Sequence, residues 1–226
     1  MIVREFNIDE LHLEYFVGIN QIKMDLDKVL DFSKTDDKEK TLDQFFNLIE
    51  EIQNKYENSV IQFFKDKHVL NQDHIFTACY YLQKAFLQKY NISNKKNIEL
   101  LLYLTTNRQI SKSIEAFGID ISDLAKNNLT YCIISPVNNL NNINNEVLRI
   151  LNAEELELNI NNQSHPKLNS IKEFFKISEN QLLPILRSSG IKTKKSEFSL
   201  NSMFSAIYDL ICEKMALLSL EKTKVE

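Results

Sequence analysis

Basic side chains are concentrated in one part of an otherwise acidic sequence. Residues 84–112 contain six basic residues and one acid, Glu99, which is a local charge of +5 in a chain whose net charge is −4. The rest of the chain therefore carries −9. A basic region in an acidic protein predicts a binding site for a polyanion. Ordinary solvated helix faces and a lysine-rich loop explain the same pattern, so both interpretations stay open at this point.

Within this region, residues 98–119 suggest a turn that could bind an anion. The apolar run 98–104 has the length of a buried strand, and the apolar spacing that follows it is that of a short helix. Thr106 and Gln109 fit a capping box at the start of that helix, and Gly118 fits its end. This reading predicts a strand–turn–helix with Arg108 in the first helical turn, where unpaired amides can hold a phosphate or a nucleotide.

Catalytic and metal-binding patterns are missing from the sequence. The three glycines are isolated, so neither common phosphate-binding loop occurs, and there is no hydrolase elbow or zinc-protease motif. His74 begins a predicted helix, either as a structural residue or as a general base or RNA contact. The thiols of Cys79, Cys132 and Cys212 lie in apolar sequence, which is typical of a reducing cytosol. We therefore predict a cytoplasmic binding protein, not an enzyme, with no catalytic residue, metal, cofactor, small-molecule substrate or membrane partner.

The elements around these residues predict a fold of the α/β class. We expect a single domain over residues 1–226, with an α+β-like mixed sheet flanked by helices, a central buried helix and a long C-terminal helix. Predicted strands are 2–8, 14–22, 60–64, 98–104, 129–135 and 156–160, and predicted helices are 41–56, 71–90, 178–187 and 200–220. Residues 98–137 would form a strand–helix–strand unit with a right-handed parallel crossover. Loop insertions are expected near 34–40, 138–145 and 159–166.

Five stretches in order resemble a known family. They are VIQFFKDKHVLNQDHIFTACYYLQKAF, IELLLYLTTNRQISKSIEAFGI, LTYCIIS, LNSIKEFFKIS and AIYDLICEKMALLSL. Over roughly residues 14–220 the chain resembles the PRPK-binding-protein subunit of the KEOPS complex. The resemblance implies a non-catalytic, single-domain α/β protein that binds the N-terminal lobe of the complex's kinase/ATPase subunit and the acceptor end of tRNA. The complex makes threonylcarbamoyladenosine, and another subunit carries out that chemistry.

The resemblance also directs attention to two sets of residues. The kinase-binding surface of such subunits is helical, so the C-terminal helix is expected to bind the partner through Phe204, Ile207, Tyr208, Ile211 and Met215. The basic region is expected to bind RNA through His74, Lys84, Lys95, Lys96, Arg108 and Lys112. Two other functions remain open: a protein–protein adaptor or kinase regulator that does not bind RNA, and an enzyme acting on a nucleotide at the turn 105–108.

Overall fold

Strands and helices are mixed along the part of the chain that the structure describes, with four consecutive helices between the third and fourth strands. The computed structural model describes residues 1–25, 29, 38–188 and 198–220. The strands are β1 (Ile2–Ile8), β2 (Leu13–Met24), β3 (Val60–Phe64), β4 (Asn128–Ser135) and β5 (Ala153–Leu156). The helices in these ranges are α1 (Lys38–Lys55), α2 (Gln72–Gln88), α3 (Lys96–Thr105), α4 (Ile110–Phe117), α5 (Ile121–Ala125), α6 (Leu140–Ile150), α7 (His165–Phe174), α8 (Glu179–Ser188) and α9 (Leu200–Leu220).

The chain divides into two compact units, which we call the sheet unit and the helical unit. The sheet unit comprises Met1–Lys65 and Gly118–Leu158, and the helical unit comprises Asp66–Phe117 and Asn159–Glu226. The mixed α/β class and the long C-terminal helix are confirmed. One domain spanning residues 1–226 stays a prediction.

The strands of the sheet unit form one antiparallel sheet. Its order is β1-β2-β4-β3, and β5 pairs with β2. The twelve-residue β2 can accept β1 and β5 one after the other along one edge, because β1 pairs with residues 13–19 and β5 with residues 21–24. β4 occupies the other edge of β2. Every pairing between the described strands is antiparallel, so the predicted parallel crossover over 98–137 is wrong.

One face of this sheet forms the core of the sheet unit. Alternate residues of the strands point to the same face, and here they pack with apolar residues of α1, α5 and α6. The ring of Phe63 on β3 meets Phe45 of α1 edge-on at 5.1 Å and stacks on Tyr131 of β4 at 4.8 Å. The packing explains the amphipathic pattern by which the sequence predicted the helix at 41–56.

The helical unit is built on α2, which confirms the predicted central buried helix. Eight of its residues are buried, and it packs against both α3 and α9. The Asn71 side chain caps it by accepting a hydrogen bond from the His74 amide at 3.0 Å. At the other end Lys89 adopts a left-handed conformation with φ of 60°.

The largest difference from the sequence prediction is at residues 98–104, which form most of the helix α3 and not a strand. Residues 99–105 are all buried, so the run is apolar because it is enclosed, and a short enclosed helix has no polar face to reveal its period. Thr106 ends α3 with φ of 51°, and the Asn107 side chain accepts a hydrogen bond from the Gln109 amide at 2.9 Å. The predicted capping box of Thr106 and Gln109 is therefore wrong.

Three other segments differ in their boundaries. The predicted loop 138–145 contains the start of α6, whose buried residues Leu140, Ile143 and Val147 have helical spacing among asparagines. The edge strand predicted at 156–160 is wrong in position, because β5 spans Ala153–Leu156 and shares only Leu156 with it. The predicted loop 159–166 contains a 3-10 turn and the first residues of α7. Pro184 lies inside α8 without ending it. Of the predicted insertion 34–40, residues 34–37 lie outside the described ranges.

Candidate functional site

The residues predicted to bind RNA all belong to the helical unit, but they differ in exposure. Lys95 and Lys112 are exposed, whereas Lys84 and Lys96 are half-buried. The ammonium of Lys84 lies 5.9 Å from the centre of the Tyr80 ring, and that of Lys96 lies 5.7 Å from the centre of the Phe86 ring. Burial lowers the pKa of Lys96. These distances are in the range of cation–π contacts, which place the two charges over aromatic surface.

The segment 91–96, which we call the basic loop, is held by a buried carboxylate. Glu99 is 0% exposed, and its carboxylate accepts hydrogen bonds from the amides of Ile92 (3.0 and 3.1 Å) and Ser93 (2.7 Å). The Ser93 hydroxyl in turn accepts a hydrogen bond from the Lys95 amide at 3.2 Å. Sequence reasoning counted Glu99 only as a negative charge. Its place in the first turn of a helix was the available signal, because acids there often bond the amides that precede the helix.

His74 has a structural position and cannot contact RNA. It is 0% exposed, its Nδ1 accepts a hydrogen bond from the Leu70 amide (3.2 Å), and its Nε2 lies 3.1 Å from the Leu104 carbonyl oxygen. The pKa of His74 is lowered to about 4, chiefly by burial and to a smaller extent by the charge of Lys167. With a neutral ring, Nε2–H donates to Leu104. His74 therefore has the structural role, and the RNA contact predicted for it is wrong.

Arg108 lies in the connection between α3 and α4, not in a helical turn. Its guanidinium donates a hydrogen bond to the carbonyl oxygen of Leu218 at 3.0 Å, near the end of α9. One residue before the end of the same helix, the Ser219 hydroxyl lies 3.3 Å from that of Tyr103 on α3. A cation at a helix C-terminus is favoured by the unpaired carbonyls. The structure therefore does not support a phosphate-binding turn at 105–108. The hypothesis of an enzyme that acts on a nucleotide at this turn loses its support as well.

Most of the predicted partner-binding residues of α9 lie in the core of the helical unit. The exposed fraction of Phe204, Ile207, Ile211 and Met215 is 3% or less. Tyr208 is half-buried, its hydroxyl lies 2.7 Å from that of Thr77, and burial raises its pKa to about 12. These side chains therefore stabilise the unit, and a partner could reach four of the five only if α9 moved.

Other apolar residues of the helical unit are exposed. Leu217 and Leu220 at the end of α9 are 47% and 56% exposed, and Ile110 and Ile114 on α4 are 42% and 43% exposed. The residues that anchor α4 include Ser113, which is 0% exposed and whose hydroxyl lies 2.7 Å from that of Thr105. The bond from Arg108 to α9 joins the two segments that carry these four side chains. The sequence predicted a short helix here, and α4 confirms it. Its isoleucines were not considered as a binding surface, because their spacing is also that of core residues.

Tyrosines accompany the lysines in the helical unit. The rings of Tyr80 and Tyr81 meet edge-on at 5.2 Å, and Tyr81 stacks on Tyr103 at 5.7 Å. Burial raises the pKa of Tyr81, so its phenol is neutral at physiological pH. Tyr80 and Tyr81 are both half-buried, which leaves part of each ring accessible.

The described residues form neither a metal cluster nor a membrane-spanning helix. Among the described residues, no group of three or more histidine, cysteine, aspartate or glutamate side chains is arranged to hold a metal ion. Burial raises the pKa of the Cys212 thiol, which makes it a poor nucleophile. No helix in the described ranges is long and apolar enough to cross a membrane. The absence of enzymatic activity remains a prediction.

Comparison with known proteins identifies the family. No individual curated protein matches the chain. The family model described as "Kinase binding protein CGI-121" matches residues 38–219, from the start of α1 to the last turn of α9. The match takes in most of the chain and includes residues of both units. The chain belongs to the CGI-121 family of kinase-binding proteins.

Proposed function

We propose that the protein is a non-catalytic subunit of the KEOPS complex. In this role it binds the kinase/ATPase subunit and recruits tRNA by its acceptor end for threonylcarbamoyladenosine formation. The observation that carries the proposal is the match of residues 38–219 to a family of kinase-binding proteins. The ordered motifs in the sequence point to the same complex.

For the kinase partner, we propose that the docking surface consists of Ile110, Ile114, Leu217 and Leu220. These four side chains are between 42% and 56% exposed, whereas the apolar residues first chosen on α9 are enclosed. Exposed apolar residues that lie close together are typical of protein interfaces. The hydrogen bond from Arg108 to the Leu218 carbonyl supports this grouping, because it joins the end of α9 to the segment preceding α4.

Co-purification with the kinase subunit tests the docking surface. Ile114→Glu and Leu217→Glu each place a charge in an apolar interface, and we expect each to weaken the complex by about tenfold or more, as for a central contact residue. Val137→Glu is the matched control, because Val137 is 55% exposed in the sheet unit. Full binding by both α4 and α9 variants, with melting temperatures unchanged, contradicts this assignment.

For RNA, we propose that Lys84, Lys95, Lys96 and Lys112 neutralise phosphates of the tRNA acceptor end. Tyr80 is available for base stacking, because its ring is half-buried and lies below the Lys84 ammonium. Lysines interleaved with partly accessible aromatic rings suit a single-stranded end, which offers both phosphates and unstacked bases. Arg108 contributes to RNA binding only indirectly, by holding the end of α9 in place through its hydrogen bond to the Leu218 carbonyl oxygen.

A salt titration of tRNA binding tests the RNA proposal. The double variant Lys95→Gln/Lys96→Gln should weaken binding by about tenfold and reduce the slope of log K against log salt by about 1.4, since each phosphate contact to a single strand contributes about 0.7. Lys23→Gln, an exposed lysine of β2, is the control. Unchanged affinity and slope contradict RNA binding by the basic loop.

The second candidate function is a kinase adaptor that does not bind RNA. The acidic charge outside the basic region favours it, because −9 over the rest of the chain opposes association with a polyanion. A protein that binds the kinase subunit normally, but shows no salt-dependent binding to tRNA, would have this function.

A further inference from the structure

The basic loop is ordered by contacts that leave its lysines outside. Ile92 and Ser93 direct their amides at the buried Glu99 carboxylate, with the shortest distance 2.7 Å. The Asn91 side chain donates to the Ser93 carbonyl oxygen at 2.9 Å, and the Ser93 hydroxyl accepts from the Lys95 amide. The backbone of the loop is thus fixed on one side by Glu99. Lys95, at the start of α3, is exposed.

We propose that Glu99 is a positioning residue for RNA binding: its carboxylate holds the basic loop so that Lys95 and Lys96 meet adjacent phosphates. The proposal rests on the RNA-binding part of the proposed function and goes beyond it by assigning a role to an acid. Ordering the loop before RNA arrives lowers the conformational entropy that binding must remove. Hydrogen bonds from amides to a carboxylate are stronger than those between neutral groups, so Glu99 suits this purpose.

The proposal predicts an effect opposite in sign to simple electrostatics. Glu99 is the only acid among residues 84–112. If its charge acted only by repelling phosphates, removing that charge would strengthen RNA binding. If Glu99 orders the loop, removing the charge weakens RNA binding although the protein becomes more positive. The direction of the change therefore decides between the two.

Two substitutions of Glu99 separate the effect of its charge from the effect of its side-chain length. Glu99→Gln keeps the size but replaces one acceptor oxygen by an NH₂ group facing the amides of Ile92 and Ser93. Glu99→Asp keeps the charge but shortens the side chain by one methylene. We expect both to weaken binding of a tRNA transcript with an intact acceptor end, by up to the roughly tenfold loss expected for removing both lysine contacts. Tighter or equal binding by Glu99→Gln overturns the proposal.

A double-mutant cycle distinguishes positioning from general destabilisation. In the Lys95→Gln/Lys96→Gln background the loop carries neither phosphate contact, so Glu99→Gln should have no further effect on RNA affinity or on the salt slope. An equal loss in both backgrounds shows that Glu99 only supports the fold and overturns the proposal. Binding of the kinase subunit should be unchanged in Glu99→Gln, because the proposed docking residues lie on α4 and α9.

Ser93→Ala provides a second test that does not depend on the folding of variants at the buried Glu99. This variant removes only the hydroxyl that accepts from the Lys95 amide. It should weaken RNA binding in the presence of the two lysines and not in their absence. If the Glu99 variants do not fold and Ser93→Ala affects neither background, the proposal is overturned. If Lys95→Gln/Lys96→Gln itself leaves RNA affinity unchanged, the RNA proposal for the loop fails and the role of Glu99 fails with it. A loss in the lysine variant without one in the Glu99 and Ser93 variants refutes the role of Glu99 alone.

Discussion

Lowering the pH from 7.5 to 5 is expected to destabilise the helical unit through His74. Its pKa is about 4 in the folded protein, chiefly because of burial, against 6.5 for the free side chain. Between these values the unfolded chain binds a proton that the folded protein does not. Stability is therefore complete above pH 6.5 and falls as the pH drops towards 4. With these two pKa values the loss is about 1 kcal/mol at pH 5.5 and about 2 kcal/mol at pH 5.

The geometry around His74 explains why the ring stays neutral. Its Nδ1 accepts from the Leu70 amide, so a proton there would break that hydrogen bond. Lys167 adds a second positive charge that opposes protonation, while the Leu104 carbonyl acts in the opposite direction by favouring a proton on Nε2. Burial is the largest of these effects. The rings of Phe117 and Phe175 lie at 6.3 and 5.6 Å, so a charged imidazole would have apolar neighbours.

Urea unfolding followed by circular dichroism measures this dependence. The wild type and His74→Gln are compared at pH 7.5, 6.5, 5.5 and 5; the variant should be less stable at neutral pH but should lose about 2 kcal/mol less on acidification. His68→Gln is the control, because burial lowers the pKa of His68 as well, but this side chain is only partly buried. Carboxylates with lowered pKa values, such as Asp120 beside the Ser122 hydroxyl and Lys65, begin to contribute only below about pH 4.

Equal pH dependence in the wild type and His74→Gln would refute this reasoning. A second measurement keeps the test decisive if the variant does not fold. The imidazole resonances of His74 in the wild type, followed by NMR, should show a neutral ring at pH 5. A charged ring at that pH would contradict the burial argument directly.

Two further predictions concern a strained turn and the thiols. Thr106 is a β-branched residue with φ of 51°, a conformation that costs about 1–2 kcal/mol and that asparagine tolerates, so Thr106→Asn should raise the free energy of unfolding by about 1 kcal/mol in urea; an equal or lower value contradicts the strain. Cys79 and Cys132 are buried, and burial raises the pKa of the half-buried Cys212. A thiol reagent at pH 8 should therefore label only Cys212 in the native protein, and slowly, but all three cysteines after unfolding; rapid labelling of the native protein contradicts this.

Local sequence patterns correctly predicted the elements that have one face in the core and the other face in water. The helix at 41–56 and the C-terminal helix at 200–220 are confirmed, because their apolar residues recur with helical spacing. The strand at 60–64 is confirmed as well, although all its residues are buried. The strand predicted at 98–104 is wrong, because an apolar run that is buried on all sides shows no helical or strand period. Its leucines favour a helix more than a strand. The start of α6 was predicted as a loop, because asparagines separate its apolar residues, which lie on one side of the helix only.

For the candidate site, the sequence identified residue types but not their partners. It located the basic region and the family motifs, and it left His74 between a structural and a functional role. Only packing decided that question, because α3 supplies the Leu104 carbonyl thirty residues away. The contact of Arg108 with Leu218 spans 110 residues, which no local spacing could reveal.

The sequence by itself determined the mixed α/β class, the central helix and the family to which the chain belongs, because these depend on periodicity and ordered motifs along the chain. The tertiary structure decided which side chains can meet a partner. It enclosed four of the five α9 residues chosen from the sequence and exposed Ile110, Ile114, Leu217 and Leu220. The physical reason is that an apolar stripe shows that a helix face avoids water, but not whether its own core or another protein covers it. That choice depends on how the helices pack, and hydrophobicity alone does not encode it.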